Sequence, residues 1–141
     1  MKTLTSEWKE RIAYWIKTLR KDLFWTIETI SWETAACEDM LTVQEAAGLS
    51  FTPAQKGMVW GREYEYRWFK AELCLPASCE GERIVLNLKP GCESTLFVNA
   101  VPFGTFRADW ILEEHHYLVD NTISMCAHPG DKYTIMMESY A

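Results

Sequence analysis

The sequence predicts a mainly β fold, an antiparallel β-sandwich, preceded by one amphipathic α-helix. Apolar residues recur at helical spacing between Thr5 and Phe24, and from about residue 26 the period changes to the alternation of half-buried strands. Turn-forming prolines and glycines separate the alternating runs at the short intervals that are typical of sandwiches. A length of 141 residues matches a common single-domain size. We therefore expect one domain, in which residues 1–25 form a helical segment packed on a β-sandwich of residues 26–141.

The predicted helix has one apolar side and one basic side. Thr5 or Ser6 can cap its first turn, and Glu7 suits the positive end of the helix dipole. Basic amphipathic helices also bind membrane surfaces and calmodulin-like partners. Because the rest of the chain is acidic, we favour packing of the apolar side on the protein's own body. That side consists of Trp8, Ile12, Trp15, Ile16, Leu19 and Leu23, and basic residues elsewhere on the helix are Lys9, Arg11, Lys17 and Lys21.

Strand signals follow. Between Glu63 and Leu75 the apolar residues change from one parity to the other near Trp68, which predicts a β-bulge there. The segment 24–31 could also form a strand, and a loop is expected around Pro53. Further alternating runs are Ile84-x-Leu86-x-Leu88, Leu96-x-Val98 and Tyr133-x-Ile135-x-Met137.

The charge and hydropathy patterns exclude several classes of partner. The net charge is -6 and the pI is about 5.1, so no global field attracts phosphate backbones. No apolar run approaches the roughly 20 residues that cross a bilayer, and no secretory signal core is visible at the N-terminus. We therefore expect a cytoplasmic protein without nucleic-acid or membrane partners.

The five cysteines are predicted to be reduced thiols, because their number is odd and no CxxC pair occurs. A Cys/His metal site is the alternative, but its spacing fits no standard zinc pattern. The adjacent histidines in it would point to opposite faces of a strand. The residues concerned are His115, His116, Asp120, Cys126 and His128.

Residues 57–141 contain a series of short motifs. They are Trp60-Gly61, Trp68-Phe69-Lys70, Leu75-Pro76, Gly81, Ile84-x-Leu86-x-Leu88, Gly91-x-Glu93, Leu96-x-Val98-Asn99, Pro102, His115-His116, Pro129-Gly130, Tyr133-x-Ile135 and Glu138. This series resembles the N-terminal β-sandwich of glycoside hydrolase family 38 α-mannosidases, most closely the cytosolic and bacterial branch. Val98-Asn99 predicts a tight turn, in which asparagine tolerates left-handed geometry. The family usually has glycine after that residue, so Ala100 departs from the pattern and leaves the turn type open.

The resemblance implies a non-catalytic module. Hydrolysis in that family uses an aspartate nucleophile and a zinc ion with His and Asp ligands, all on a separate α/β catalytic domain, so no catalytic residue is carried over to this chain. The parent protein is then expected to be an α-mannosidase, with zinc in a catalytic domain absent from this chain. The module would support that domain, order the entrance to its site and offer a surface for homo-oligomer contacts. The sequence leaves two alternatives for Ala141: a boundary within that longer protein, or a natural end, in which case the chain would be a relic or regulatory sandwich.

A stand-alone carbohydrate-binding sandwich is the alternative, since jelly-roll or galactose-binding-like folds bind sugars through loop aromatics and amides. A sugar-stacking tryptophan should be exposed beside polar groups. A module that packs on a partner domain should instead expose a large apolar patch. The candidate sugar-binding residues are Trp60, Asn99, Phe103, Arg107, Asp109 and Trp110, although packing is the favoured role for Trp60 and Trp110.

Independent catalysis is not expected. A retaining glycosidase needs two carboxyl groups roughly 5 to 5.5 Å apart across a sugar site, and the carboxylate pairs visible here are better explained as solvated sheet residues. No nucleophile signature surrounds the thiols that could pair with a histidine. These weaker candidates are Glu63 with Glu65, Glu113 with His115, and Cys74 or Cys79 with His128.

Overall fold

The computed structural model describes residues 5–62, 64–88, 92–106 and 121–141. A six-stranded antiparallel sheet in the order β2-β1-β3-β8-β5-β6 is accompanied by a two-stranded pair, β4-β7. This arrangement confirms the predicted mainly β class with one N-terminal helix. The elements are α1 (Ser6–Asp22), β1 (Glu33–Cys37), α2 (Val43–Ala46), β2 (Thr52–Pro53), β3 (Tyr66–Cys74), a 3-10 turn (Ala77–Cys79), β4 (Ile84–Val85), β5 (Glu93–Val98), β6 (Val101–Phe106), β7 (Thr122–Ser124) and β8 (Lys132–Tyr140).

The central strand β3 corrects one prediction. Its register with β8 runs without a shift from Tyr66, opposite Tyr140, to Cys74, opposite Lys132, so the predicted bulge near Trp68 is wrong. Apolar residues occur at both parities because both faces of this strand are covered, as is typical of a strand inside a layered core. The shift of apolar residues from one parity to the other therefore reflects burial of both faces of β3 and not an inserted residue.

The larger apolar cluster, here called the inner core, joins the six-stranded sheet to the β4-β7 pair. Leu96 and Ile135 are fully buried in it, and each such side chain contributes about 1.5–3 kcal/mol through removal of apolar surface from water. The residues of the inner core are Leu73, Leu75, Cys79, Ile84, Leu86, Leu96, Ala127, Ile135 and Met137.

The segment 24–31 crosses this core without forming a strand. Ile27, Ile30 and Trp32 pack against the inner core, but no strand is assigned to this part of the chain. One backbone hydrogen bond at its end ties the chain down, from the Ala54 amide to the Trp32 carbonyl at 2.8 Å. The strand suggested for this segment is therefore not formed, and partial burial of its side chains holds it in place together with that hydrogen bond.

A smaller cluster, the outer core, covers the opposite face of the sheet. It consists of Val43, Ala46, Trp68 and Met136. The short helix α2 supplies two of these residues and is fixed by a capping box at Thr42. The Glu45 amide donates to the Thr42 hydroxyl at 3.3 Å, and the Thr42 amide donates to the Glu45 carboxylate at 2.8 Å.

The hairpin between β5 and β6 turns through two residues in left-handed geometry. Asn99 has φ 52° and Ala100 has φ 62°, which is the pattern of a type I′ turn. Asn99 is held by its neighbour strand: its amide donates to the Thr134 carbonyl at 2.8 Å, and its side-chain oxygen accepts from the Thr134 amide at 2.9 Å. The tight turn predicted after Val98 is confirmed, with Ala100 in a conformation that favours glycine.

Replacement of Ala100 by glycine is expected to stabilise the protein. Left-handed geometry costs an alanine about 1–2 kcal/mol, and glycine removes this cost. The greater conformational freedom of glycine in the unfolded chain offsets part of the stabilisation. We expect the free energy of unfolding to rise by roughly 0.5–1 kcal/mol, measured by urea denaturation. Ala77→Gly is the matched control, because Ala77 is also exposed but has no positive φ, and this substitution should not stabilise the protein. An unchanged or lower stability for Ala100→Gly would contradict the turn geometry.

The N-terminal helix α1 is present, but its apolar side is open to solvent. The exposed fractions of its six apolar side chains lie between 44% for Ile12 and 61% for Trp15. The structure therefore does not place this side against the sandwich, where we expected it. The inner core is already covered by Ile27, Ile30 and Trp32 from the segment that follows the helix. Across the described residues, no helix is both long and apolar enough to span a membrane.

Candidate functional site

Trp60, the first predicted sugar-binding residue, is half-buried by other side chains. Its ring packs edge-on against Phe69, with 5.7 Å between the ring centroids. The guanidinium of Arg67 lies 5.4 Å from the centroid of the same indole. Arg67 also forms an ion pair with Glu65 at 2.9 Å, and this hydrogen bond holds the pKa of the Glu65 carboxyl below its usual value. Trp60 thus belongs to a packed aromatic and charged cluster.

The other predicted sugar-binding residues fall into two groups. Asn99 holds the β5-β6 turn through Thr134, and Phe103 packs against the inner core. Arg107, Asp109 and Trp110 lie outside the described residues. The described members therefore have structural contacts of their own, and sugar binding by this set stays a prediction.

The structure describes only part of the candidate metal-ligating and nucleophilic set. Cys126 and His128 are exposed, whereas His115, His116 and Asp120 lie outside the described residues. Within the described ranges, no group of three or more His, Cys, Asp or Glu side chains could hold a metal ion. All five cysteines are free. Among the thiols suggested as nucleophiles, Cys79 is fully buried and contacts the Pro76 carbonyl at 2.9 Å, while Cys74 is exposed.

One carboxyl group is partly buried on the sheet. Glu138 lies opposite Trp68 on one side and Thr95 on the other. Burial raises the pKa of the Glu138 carboxyl. One of its oxygens and the indole nitrogen of Trp68 are buried without a hydrogen-bond partner in the described part of the chain. Burial therefore disfavours the ionised form of Glu138, and ionisation of that carboxyl weakens the fold.

The substitution Glu138→Gln is expected to change how stability depends on pH. Because the folded-state pKa of this carboxyl is raised, its contribution to stability is complete below its unfolded pKa of about 4 and is lost as pH rises through the folded pKa. Glutamine stays neutral, so the variant should melt at a higher temperature than the parent chain at pH 8 and lose this advantage at pH 3. The exposed Glu82→Gln is the control. Equal melting differences at both pH values would contradict the burial effect.

A groove lies beside β4, between the chain segment 24–32 and residues 84–88, and we call it the β4 groove. Its volume is about 560 Å³, within the range of small-molecule sites. The floor is apolar, whereas aromatic, amide and carboxylate side chains form the upper lining. The floor residues are Leu73, Leu75, Ile84 and Leu86, and the upper residues include Trp25, Glu28 and Asn87.

Sequence reasoning missed the β4 groove. Two tryptophans, at positions 25 and 32, flank the polar residues Thr26, Glu28 and Thr29, which was the available signal. Interpretation of 24–31 as a strand hid this signal, because strand side chains are usually assigned to packing. The partner wall is more than 50 residues away in sequence, and only the folded chain brings the two segments together.

The architecture defines a class of protein. A six-stranded antiparallel sheet joined through one apolar core to a smaller strand pair is a β-sandwich module. A family model described as alpha-mannosidase, jelly roll domain, matches residues 25–140. The chain belongs to this family, which confirms the resemblance to the N-terminal sandwich of α-mannosidases. No curated protein and no solved structure gives a significant match to it.

Proposed function

We propose that this jelly-roll domain is a non-catalytic module of a longer α-mannosidase, docked on the catalytic domain of the same chain. There it supports the catalytic domain and orders the entrance to the substrate site. The family match over residues 25–140 supports the parent activity. The zinc ion that hydrolysis in this family requires is assigned by the proposal to the catalytic domain.

The main support for the docking role is the exposed apolar side of α1. It consists of Trp8, Ile12, Trp15, Ile16, Leu19 and Leu23, and we call it the α1 face. Two indoles and four aliphatic side chains lie together on about four helical turns, each close to half exposed. Contiguous apolar patches of this kind mark interaction sites, since monomeric proteins rarely leave them in water.

The charge distribution indicates what kind of surface the α1 face would bind. Residues 1–25 carry six Lys or Arg and three Asp or Glu, whereas residues 26–141 carry eight and seventeen. Lys9 and Arg11 flank the α1 face on either side of the helix. An apolar strip with an acidic rim complements this arrangement, and we propose such a strip on the catalytic domain.

Cytoplasmic location is part of the proposal. The five free cysteines suit a reducing compartment, in which disulfides rarely persist. A second copy of the chain is the competing occupant of the α1 face and would give a homo-oligomer.

Antibody raised against residues 1–141 tests the proposal in source-cell extract. We expect a band far above 16.4 kDa and an immunoprecipitate that releases mannose from an α-mannoside, while the 141-residue chain alone releases none. A band at 16.4 kDa together with an inactive immunoprecipitate would contradict the proposal. Size-exclusion chromatography of the 141-residue chain tests whether a second copy occupies the α1 face instead. A stable dimer would assign the α1 face to self-association.

A further inference from the structure

An aromatic ring with neighbouring polar groups lines the β4 groove. Trp25 is 65% exposed, and it shares the groove with Glu28, Asn87 and the half-buried Trp32. An exposed indole beside hydrogen-bonding side chains is the arrangement that sugar stacking requires, because the ring covers the apolar face of a pyranose while polar groups contact its hydroxyls. Among the residues predicted for sugar binding, the described ones, Trp60, Asn99 and Phe103, do not line this groove.

We propose that the β4 groove binds a neutral oligosaccharide, with Trp25 as the stacking platform and Glu28 and Asn87 as hydrogen-bonding partners. The volume of about 560 Å³ is large enough for more than one sugar ring. The floor of Leu73, Leu75 and Ile84 contacts the apolar faces of the rings. The site lies outside the α1 face and does not depend on the docking role.

The charges of the lining favour a neutral ligand. Glu28 is the one ionisable side chain among the lining residues that the structure describes, and none of these is Lys, Arg or His. An anionic ligand would therefore meet a carboxylate, and no described lining residue offers a compensating cation. Sugar hydroxyls can instead donate to the Glu28 carboxylate, which has two acceptor oxygens, one of which already accepts the Thr29 amide at 3.2 Å.

The polar groups also distinguish a sugar from an apolar chain. The Asn87 side chain is exposed and offers both a donor and an acceptor at the groove. Asn121 is tied to the fold, since its side-chain amide donates to the Leu86 carbonyl at 2.7 Å. An acyl chain would use the apolar floor alone and leave Glu28 and Asn87 without a role. A polyol with one apolar face uses both parts of the lining.

Titration of the ¹⁵N-labelled 141-residue chain with neutral oligosaccharides tests the site. The probes are α-linked mannotriose, maltotriose and cellotriose, each raised to about 50 mM, which detects affinities as weak as the millimolar range. We expect at least one of them to shift the indole N–H signals of Trp25 and Trp32 saturably. Trp25→Ala should weaken that binding at least tenfold, and Asn87→Ala severalfold. Trp15→Ala removes an indole of similar exposure (61%) on α1 and should leave binding unchanged.

Three outcomes would overturn the proposal. The first is the absence of a saturable shift with all three sugars. The second is an equal loss of sugar affinity in Trp15→Ala and Trp25→Ala. The third is binding of an alkyl maltoside through its alkyl tail while maltotriose does not bind. Spectra of each variant without ligand establish that it is folded, and Trp25→Phe keeps an aromatic platform if Trp25→Ala unfolds. Failure here leaves the docking role intact, because that role rests on the α1 face.

Discussion

Replacement of Trp68 by alanine is expected to lower the free energy of unfolding by about 3–5 kcal/mol. Trp68 is fully buried at the centre of the outer core, where its ring lies 5.8 Å from that of Phe97. Removal of the indole leaves a cavity between the sheet and α2, whose Val43 and Ala46 pack on it. The loss is a large part of the 5–15 kcal/mol that stabilises a typical domain. Urea denaturation followed by circular dichroism measures it.

Two control variants separate the causes of this loss. Trp68→Phe keeps an aromatic ring, and the indole nitrogen it removes has no hydrogen-bond partner among the described residues, so we expect a smaller loss of roughly 1–2 kcal/mol. Trp8→Ala removes an indole that is 53% exposed and should change stability by less than about 0.5 kcal/mol. A loss below about 1 kcal/mol for Trp68→Ala would contradict the placement of this residue at the centre of the outer core.

The double substitution Ile12→Glu and Trp15→Glu is expected to separate the module from its catalytic domain. In the 141-residue chain both side chains are exposed, so the free energy of unfolding should change by less than about 0.5 kcal/mol. In the parent enzyme the two carboxylates would lie in a desolvated apolar contact. We expect a loss of about 2–4 kcal/mol in interface stability, visible as a lower melting temperature and lower α-mannosidase activity.

Tyr14→Glu is the matched control for that experiment. Tyr14 is an aromatic residue that is 67% exposed. Helical geometry places its Cα on the side of α1 opposite the α1 face, and its ring lies edge-on to Trp15 with 6.4 Å between the centroids. Tyr14→Glu should leave both the parent enzyme and the 141-residue chain unchanged. Equal effects of Tyr14→Glu and the double variant on the parent enzyme would remove the α1 face from the interface.

The sequence predicted the class of fold better than the contacts within it. Alternation at Tyr133, Ile135 and Met137 identified β8, because that strand places one parity in the inner core. The same reasoning failed at Trp68, where burial on both faces imitates a bulge. Helical spacing identified α1 but could not tell where its apolar side goes. Periodicity reports that a side is apolar and carries no information about the surface that covers it.

The candidate sites show a similar division. Trp60 was suggested from its place in a loop, yet its ring contacts Phe69 and Arg67, and such contacts between loop and strand leave no trace in the spacing of residues. The β4 groove depends on the approach of segment 24–32 to Asn87 across a long stretch of sequence. Sites formed by distant segments become visible only when the fold brings them together.

Amide hydrogen exchange of α1 tests the docking account most directly. The helix Ser6–Asp22 has its apolar side in water in the 141-residue chain, so its amides should exchange with little protection there. Docking on the catalytic domain would protect the same amides in the parent enzyme, with the protection lost in the variant with Ile12→Glu and Trp15→Glu. We expect slower exchange over α1 in the parent enzyme than in the 141-residue chain. Equal exchange rates over α1 in the two proteins would contradict the account.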